Sequence, residues 1–124
     1  MCSYGNKIEL MGLAATKNYK GTILELRWRS KQPIKLDYTV GLHCLDSEKK
    51  TVGGADYQPD ILQREMAQGA EWTDTVAISN RELKGATQLG VSIYRPGKET
   101  MLCDAPNSDW GTRFVIPFSN LAPK

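Results

Sequence analysis

The stretch that decides the fold is Leu24 to Pro59, LELRWRSKQPIKLDYTVGLHCLDSEKKTVGGADYQP. It reads as two β-strands, a turn and the start of a third strand. Leu24, Leu26 and Trp28 alternate with Glu25, Arg27 and Arg29. Successive side chains of a strand point to opposite faces, so this run buries one face and wets the other. Tyr38, Val40, Leu42 and Cys44 repeat the pattern against Asp37, Thr39, Gly41 and His43. Gln32-Pro33, Ser47 to Lys50 and Gly53-Gly54 punctuate the runs with turn residues.

The same period extends outward in both directions. Leu89, Val91 and Ile93 share a face, as do Phe114, Ile116 and Phe118. Trp72, Val76 and Ile78 share another, with Asp74 a polar break in it. Ile8, Leu10 and Gly12 make a weaker opening strand. Lys20-Gly21, Lys84-Gly85, Pro96-Gly97 and Pro106-Asn107 mark further turns. Alternation of this kind is what antiparallel sheets with one solvated face require. The pattern predicts a single all-β domain over residues 1–124. Its expected form is an antiparallel two-sheet β-sandwich of jelly-roll or immunoglobulin-like type, with about eight strands. Only Pro59 to Gln68 suits a helix, with Pro59 and Asp60 at its start and Gly69 at its stop. Ile61, Leu62 and Met66 would then cap one end of the core.

Composition sets the outer bounds. A chain of 124 residues with 40% apolar and 24% charged content can bury a core without disulfides or metal. A net charge of +2 and a pI near 8.4, with no basic block, argue against a nucleic-acid partner. Arg27, Arg29 and Lys31 alternate along a strand and form a solvated face. No apolar run approaches the roughly 18–20 residues of a membrane helix, so no membrane insertion is expected. The opening run MCSYGNKIEL has no apolar core of a signal peptide. That absence leads to the expectation of a cytoplasmic protein, unless the domain was excised from a longer chain.

Three cysteines, with no CxxC and no Cys/His cluster at zinc spacing, read as small buried hydrophobes. Cys44 with Cys103 is the one bridge considered. His43 beside Cys44 suggests a nucleophilic pair, yet neighbouring strand residues face opposite ways, which separates the two. A glycosidase needs two carboxylates across a cleft; Asp56 and Asp74 form one such pair, but nothing in the sequence singles it out. Asp104, Asn107 and Asp109 offer oxygens to calcium, although Asx residues also serve turns. Gly53-Gly54 lacks every phosphate-loop context. The reading is of no catalytic residue, no cofactor and no metal.

Saccharide binding needs exposed aromatic faces with hydrogen-bonding groups beside them. Trp28 and Trp72 are in phase with apolar neighbours and read as core. Trp110, Tyr57 and Tyr94 lie in or beside loops and are the candidate platforms. Asp56, Gln58, Arg95, Asp109 and Arg113 are the candidate polar partners.

Across most of the chain these motifs resemble a soluble jelly-roll-like β-sandwich domain. That domain is appended to bacterial dolichyl-phosphate-mannose-type membrane glycosyltransferases and occurs in uncharacterised bacterial proteins. The matching residues are Leu26-Arg27-Trp28, Gln32-Pro33, Asp37 to Asp46, Ser47 to Lys50 and Asp56 to Pro59. Leu83-Lys84-Gly85 with Leu89 to Tyr94 and Pro96-Gly97 resembles its penultimate hairpin, and Asn6 to Gly12 its opening strand. The pattern is departed from around Leu62 to Glu71 and after Leu102. The resemblance implies a sandwich fold and an association with glycans, not glycosyl transfer. The expected function is therefore a non-catalytic carbohydrate-binding-like module. The alternative is a protein-interaction or homo-oligomerisation module using a sheet edge or face, and an enzyme of unknown class stands third.

Overall fold

The computed structural model describes residues 1–124 apart from 36, 60–64, 96–99, 106, 107, 109 and 124. Its strands are β1 (Cys2–Tyr4), β2 (Ile8–Asn18), β3 (Gly21–Ser30), β4 (Ile34–Lys35), β5 (Thr39–Leu45) and β6 (Thr51–Gly54). They continue with β7 (Glu65–Met66), β8 (Glu71–Ser79), β9 (Gln88–Tyr94), β10 (Phe114–Pro117) and β11 (Ala122–Pro123). A single-turn helix, α1, spans Asn80–Leu83. Among the described residues one antiparallel sheet runs β1-β2-β3-β8, with β11 lying parallel along β2, a second runs β10-β9-β5-β6, and β4 and β7 form a third of two strands.

Buried residues of both sheets form one core. Leu10, Leu24, Leu26 and Trp28 come from the first sheet, and Val40, Leu42, Val91 and Ile93 from the second. The in-phase residues of the sequence are thus the ones buried. They meet in register: Trp28 opposite Trp72, Leu24 opposite Val76, Val40 opposite Ile93 and Leu42 opposite Val91. The chain makes the β2–β3 hairpin, crosses to β5–β6, returns at β8, and crosses again to β9 and β10. The orders β2-β3-β8 and β10-β9-β5-β6 are those of strands A-B-E and G-F-C-C′ in an immunoglobulin-like sandwich. Among the described residues seven strands have four or more residues (β2, β3, β5, β6, β8, β9 and β10), and four are shorter.

Two local features depart from the sequence pattern. In β2 a bulge between Leu10 and Gly12 shifts the pairing with β3. Ile8 and Leu10 point inward before it and Leu13 after it. An extra residue changes the phase, which is why this strand reads weakly by period two. The helix expected over Pro59 to Gln68 is not seen at its described end: Glu65–Met66 is a strand paired with Ile34–Lys35. Residues 60–64 of that expectation lie outside the described residues. Among the described residues the α-helix is α1, where the Ser79 hydroxyl accepts from the Glu82 amide at 3.4 Å. Ser79-Asn80-Arg81-Glu82 has the S-x-x-E spacing of a capping box.

A segment from Thr100 to Ala105 ties the sheets together. Met101 N donates to Ile93 O at 2.9 Å, then Gly5 N donates to Leu102 O at 2.8 Å. Tyr4 opposes Cys103, and the Tyr4 hydroxyl donates to Val91 O at 2.7 Å from across the core. All three cysteines are free and buried. Cys44 faces Leu89 and Gly53 on β9 and β6 while Cys103 sits against β1, so no Cys44–Cys103 bridge exists. Among the described residues, no helix is long and apolar enough to cross a membrane.

Candidate functional site

The core takes the even-numbered residues of β5 and the odd-numbered ones of β9. The opposite, outer face of this sheet therefore carries Thr39, Gly41 and His43, and Gly90, Ser92 and Tyr94. Two of these are glycines, and both are needed for close approach. A Cβ on Gly41 would stand 2.8 Å from Ser92 Oγ, and one on Gly90 would stand 2.6 Å from Arg113 Cδ. The sheet surface is thus a shallow trough in which the Arg113 side chain lies.

Trp110 overhangs this trough. Its φ of 59° and the 70° of Gly111 place two successive residues in left-handed conformation. A bulky residue with positive φ is uncommon and held only by its surroundings. One restraint is the hydrogen bond from Cys103 N to Gly111 O at 2.8 Å. A second is the Arg113 guanidinium, whose Cζ lies 4.2 Å from the centre of the Trp110 ring. A cation over an indole face is attractive by about 0.5–2 kcal/mol, more as water is excluded. Arg113 is 1% exposed but Trp110 is 76% exposed. One face of the ring rests on the cation, and most of the indole remains open to solvent.

Arg113 also reaches His43, with Nη1 3.3 Å from Nδ1. A guanidinium has no acceptor, so Nδ1 accepts and the ring proton of the neutral imidazole sits on Nε2. Burial first, and the neighbouring Arg113 charge second, hold His43 below the usual histidine range, while Asp56 pulls the other way. Further along the same face the Tyr94 hydroxyl donates to Asp56 Oδ2 at 2.7 Å. Beyond it Arg95 Nε donates to Asp37 Oδ1 at 3.0 Å.

The structure therefore gathers four of the residues named from sequence, Asp56, Tyr94, Trp110 and Arg113, on one face, with Arg95 at its end. Tyr57 goes elsewhere. It pairs with Val40 as an extended residue, and its hydroxyl turns inward to donate to Asp74 Oδ2 at 2.8 Å. Gln58 is exposed. Asp109 lies outside the described residues, as does Asn107. Of the calcium candidates, Asp104 spends Oδ1 on the Ser3 amide at 2.7 Å, and no group of three His, Cys, Asp or Glu suited to a metal occurs among the described residues. His43 and Cys44 face opposite sides of β5, as strand alternation requires: the imidazole meets Arg113 and the thiol joins the core. His43 and Ser92 were not in the sequence-based site. Their signal was the out-facing spacing Gly41-x-His43 and Gly90-x-Ser92-x-Tyr94, small residues followed by polar or aromatic ones.

A separate cleft of about 400 Å³ opens at the far end of β2 and β3, over Ala15, Thr22, Leu83 and Phe118. Its Asn18 and Asn80 side chains are committed to the turn: Asn18 Oδ1 accepts from Lys20 N and Gly21 N, and Asn80 Nδ2 donates to Tyr19 O. It offers less to a polar ligand than the outer face does. Compared with family models, curated proteins and solved structures, the chain matches none.

Proposed function

We propose that this domain is a non-catalytic saccharide-binding module and that the outer face of the β10-β9-β5-β6 sheet is its site. The observation that carries the reading is the Trp110 ring, 76% exposed and seated on the buried Arg113 guanidinium. Sugar rings present axial C–H groups that pack on an aromatic face. They also present hydroxyls that need donors and acceptors close by. The Asp56–Tyr94 pair and the half-buried His43 supply both kinds along this face. Holding the ring in place beforehand removes part of the ordering cost of binding. The resemblance of the Leu24–Pro59 run to domains appended to bacterial membrane glycosyltransferases favours the same ligand class.

The test is a glycan array followed by fluorescence titration of the hits. A binding sugar should quench or blue-shift the tryptophan emission. Trp110→Ala should abolish binding on the array and lower stability by no more than about 0.5–2 kcal/mol, the worth of the lost cation–π contact. No array signal, or a Trp110→Ala variant that binds as well as the parent, sinks the proposal.

Self-association is the second reading, and one observation favours it. β8 is nine residues long and stands at the edge of its sheet. Edges of this length can accept another strand. Light scattering after size exclusion decides it; a monomer at high concentration removes this reading.

A further inference from the structure

Cys2 and Cys103 meet where β1 joins the segment from Thr100 to Ala105. Hydrogen bonds run from Gly5 N to Leu102 O at 2.8 Å and from Asp104 N to Ser3 O at 3.1 Å. They flank the Tyr4–Cys103 pair without joining it, which makes this the narrow, non-hydrogen-bonded position of an antiparallel ladder. Cys2 lies two residues before Tyr4, so it shares the face of Tyr4 and Cys103 and stands diagonal to Cys103, a spacing that a small shift of β1 must shorten to close an S–S bond. Both cysteines belong to one buried cluster, at 5% and 7% exposure. The Cys2 thiol lies beside Cys103 and the Tyr4 hydroxyl, and burial pushes it up to about 12. Cys44 is on β5, opposite Leu89 of β9.

We propose that Cys2 and Cys103 form an intramolecular disulfide on exchange with a low-molecular-weight disulfide such as oxidised glutathione, locking β1 to the segment that anchors the Trp110 turn. In the first step one cysteine thiolate attacks a glutathione sulfur, the glutathione S–S bond breaks and one glutathione thiolate leaves. In the second the other cysteine thiolate attacks the protein-bound sulfur and expels the remaining glutathione. Two protein thiols are oxidised, one glutathione disulfide is reduced, and the two thiol protons end on the two released glutathiones. Burial makes the exchange slow, because β1 must lift from β2 for oxidant to enter. β1 is three residues long, held by β2 on one side and by the segment from Thr100 to Ala105 on the other, so exchange waits on local opening. The closed bridge spans nearly the whole chain, and long loops give the largest constraint on the unfolded state.

The experiment equilibrates the protein in glutathione buffers from fully reduced to fully oxidised, quenches with acid, unfolds, and alkylates with iodoacetamide before mass mapping. At the oxidised end the protein should carry one label, on Cys44, and release Cys2 and Cys103 peptides linked together. Its urea midpoint should rise by about 1–2 M over the reduced form. Cys44→Ser should behave the same with no label, while Cys2→Ser and Cys103→Ser should each take two labels and show no midpoint rise. Three labels at equilibrium, a stable glutathione adduct, a bridge involving Cys44, or a covalent dimer would each overturn the proposal. None of these outcomes bears on whether a saccharide binds, so the two proposals fail separately.

Discussion

Two tyrosine–carboxylate pairs lie on opposite sides of the same sheet and differ in almost everything but chemistry. Inside, the Tyr57 hydroxyl donates to Asp74 at 2.8 Å; outside, the Tyr94 hydroxyl donates to Asp56 at 2.7 Å. Asp56 and Tyr57 are neighbours in the chain, sent to opposite faces by one extended residue pair. Asp74 is 3% exposed, and Tyr57 is raised far above the usual tyrosine range, by burial before the Asp74 charge and hydrogen bond. Tyr94 is raised too, but by its hydrogen bond to Asp56 before burial. The inner pair ties β8 to the second sheet through a buried carboxylate and a half-buried tyrosine. The outer pair can exchange its partner for a ligand hydroxyl at little cost.

Breaking the inner pair should therefore have the largest effect. Asp74→Ala removes the acceptor from a buried hydroxyl and should lower stability by about 2–4 kcal/mol, read by urea denaturation. Alkaline pH attacks the same region. Tyr38 is raised by burial and then by Asp74, as Tyr57 is by burial first. The folded state then keeps protons that the unfolded chain releases, so stability is full below the unfolded value near pH 10 and falls above it. Urea midpoints measured from about pH 8 to pH 11 should show that decline, and Tyr57→Phe should flatten it.

The paired tyrosines give the direct contrast. Tyr57→Phe should cost about 1–2 kcal/mol by removing one hydrogen bond from the buried Asp74 carboxylate. Tyr94→Phe should stay within about 0.5 kcal/mol and act instead on sugar affinity. Equal stability losses in the two variants would erase the distinction between inner and outer pair. The smallest effect should come from His43. Its folded value is depressed, so its contribution is present above the unfolded value near pH 6.5 and is lost as pH falls toward the folded one. A proton on Nδ1 would meet the Arg113 cation, and the Trp110 fluorescence should change over that window. An imidazole signal that titrates at or above the ordinary histidine range would contradict the contact.

The faces of the long strands were legible in the sequence, because burial on one side enforces alternation along Leu24–Trp28, Tyr38–Cys44 and Leu89–Ile93. The outer site was legible in part because Tyr94 and Trp110 lie in or beside loops with Asp56 and Arg113 as polar partners; the burial of Arg113 beneath the indole was not legible. Tyr57 was misplaced because alternation continues past the end of β6. Val40 N donates to Tyr57 O at 2.8 Å and Tyr57 N to Val40 O at 3.0 Å, so the chain is still sheet-like where it was read as a loop. The β2 bulge defeated period two by adding a residue. The helix expectation rests on Pro59 and Asp60 as a start and Gly69 as a stop, whereas the short α1 announces itself only through the Ser79 cap. Arg113 as the seat of an indole could not be read from spacing, since it depends on two left-handed residues at Trp110 and Gly111.

One feature of the first sheet bears on how this fold can be rewired. β1 and β11 share the same edge of β2, with Cys2 opposite Leu10 and Ala122 opposite Ala14. Four residues of strand separate those positions, roughly 13 Å at 3.3 Å per residue. A flexible linker of about six residues could join Ala122 to Cys2 across that gap. New termini could then open between Glu48 and Lys49, in the exposed hairpin turn from β5 to β6. A circularly permuted chain cut there should fold to the same two sheets, with the Trp110 face intact and both new ends beside β6.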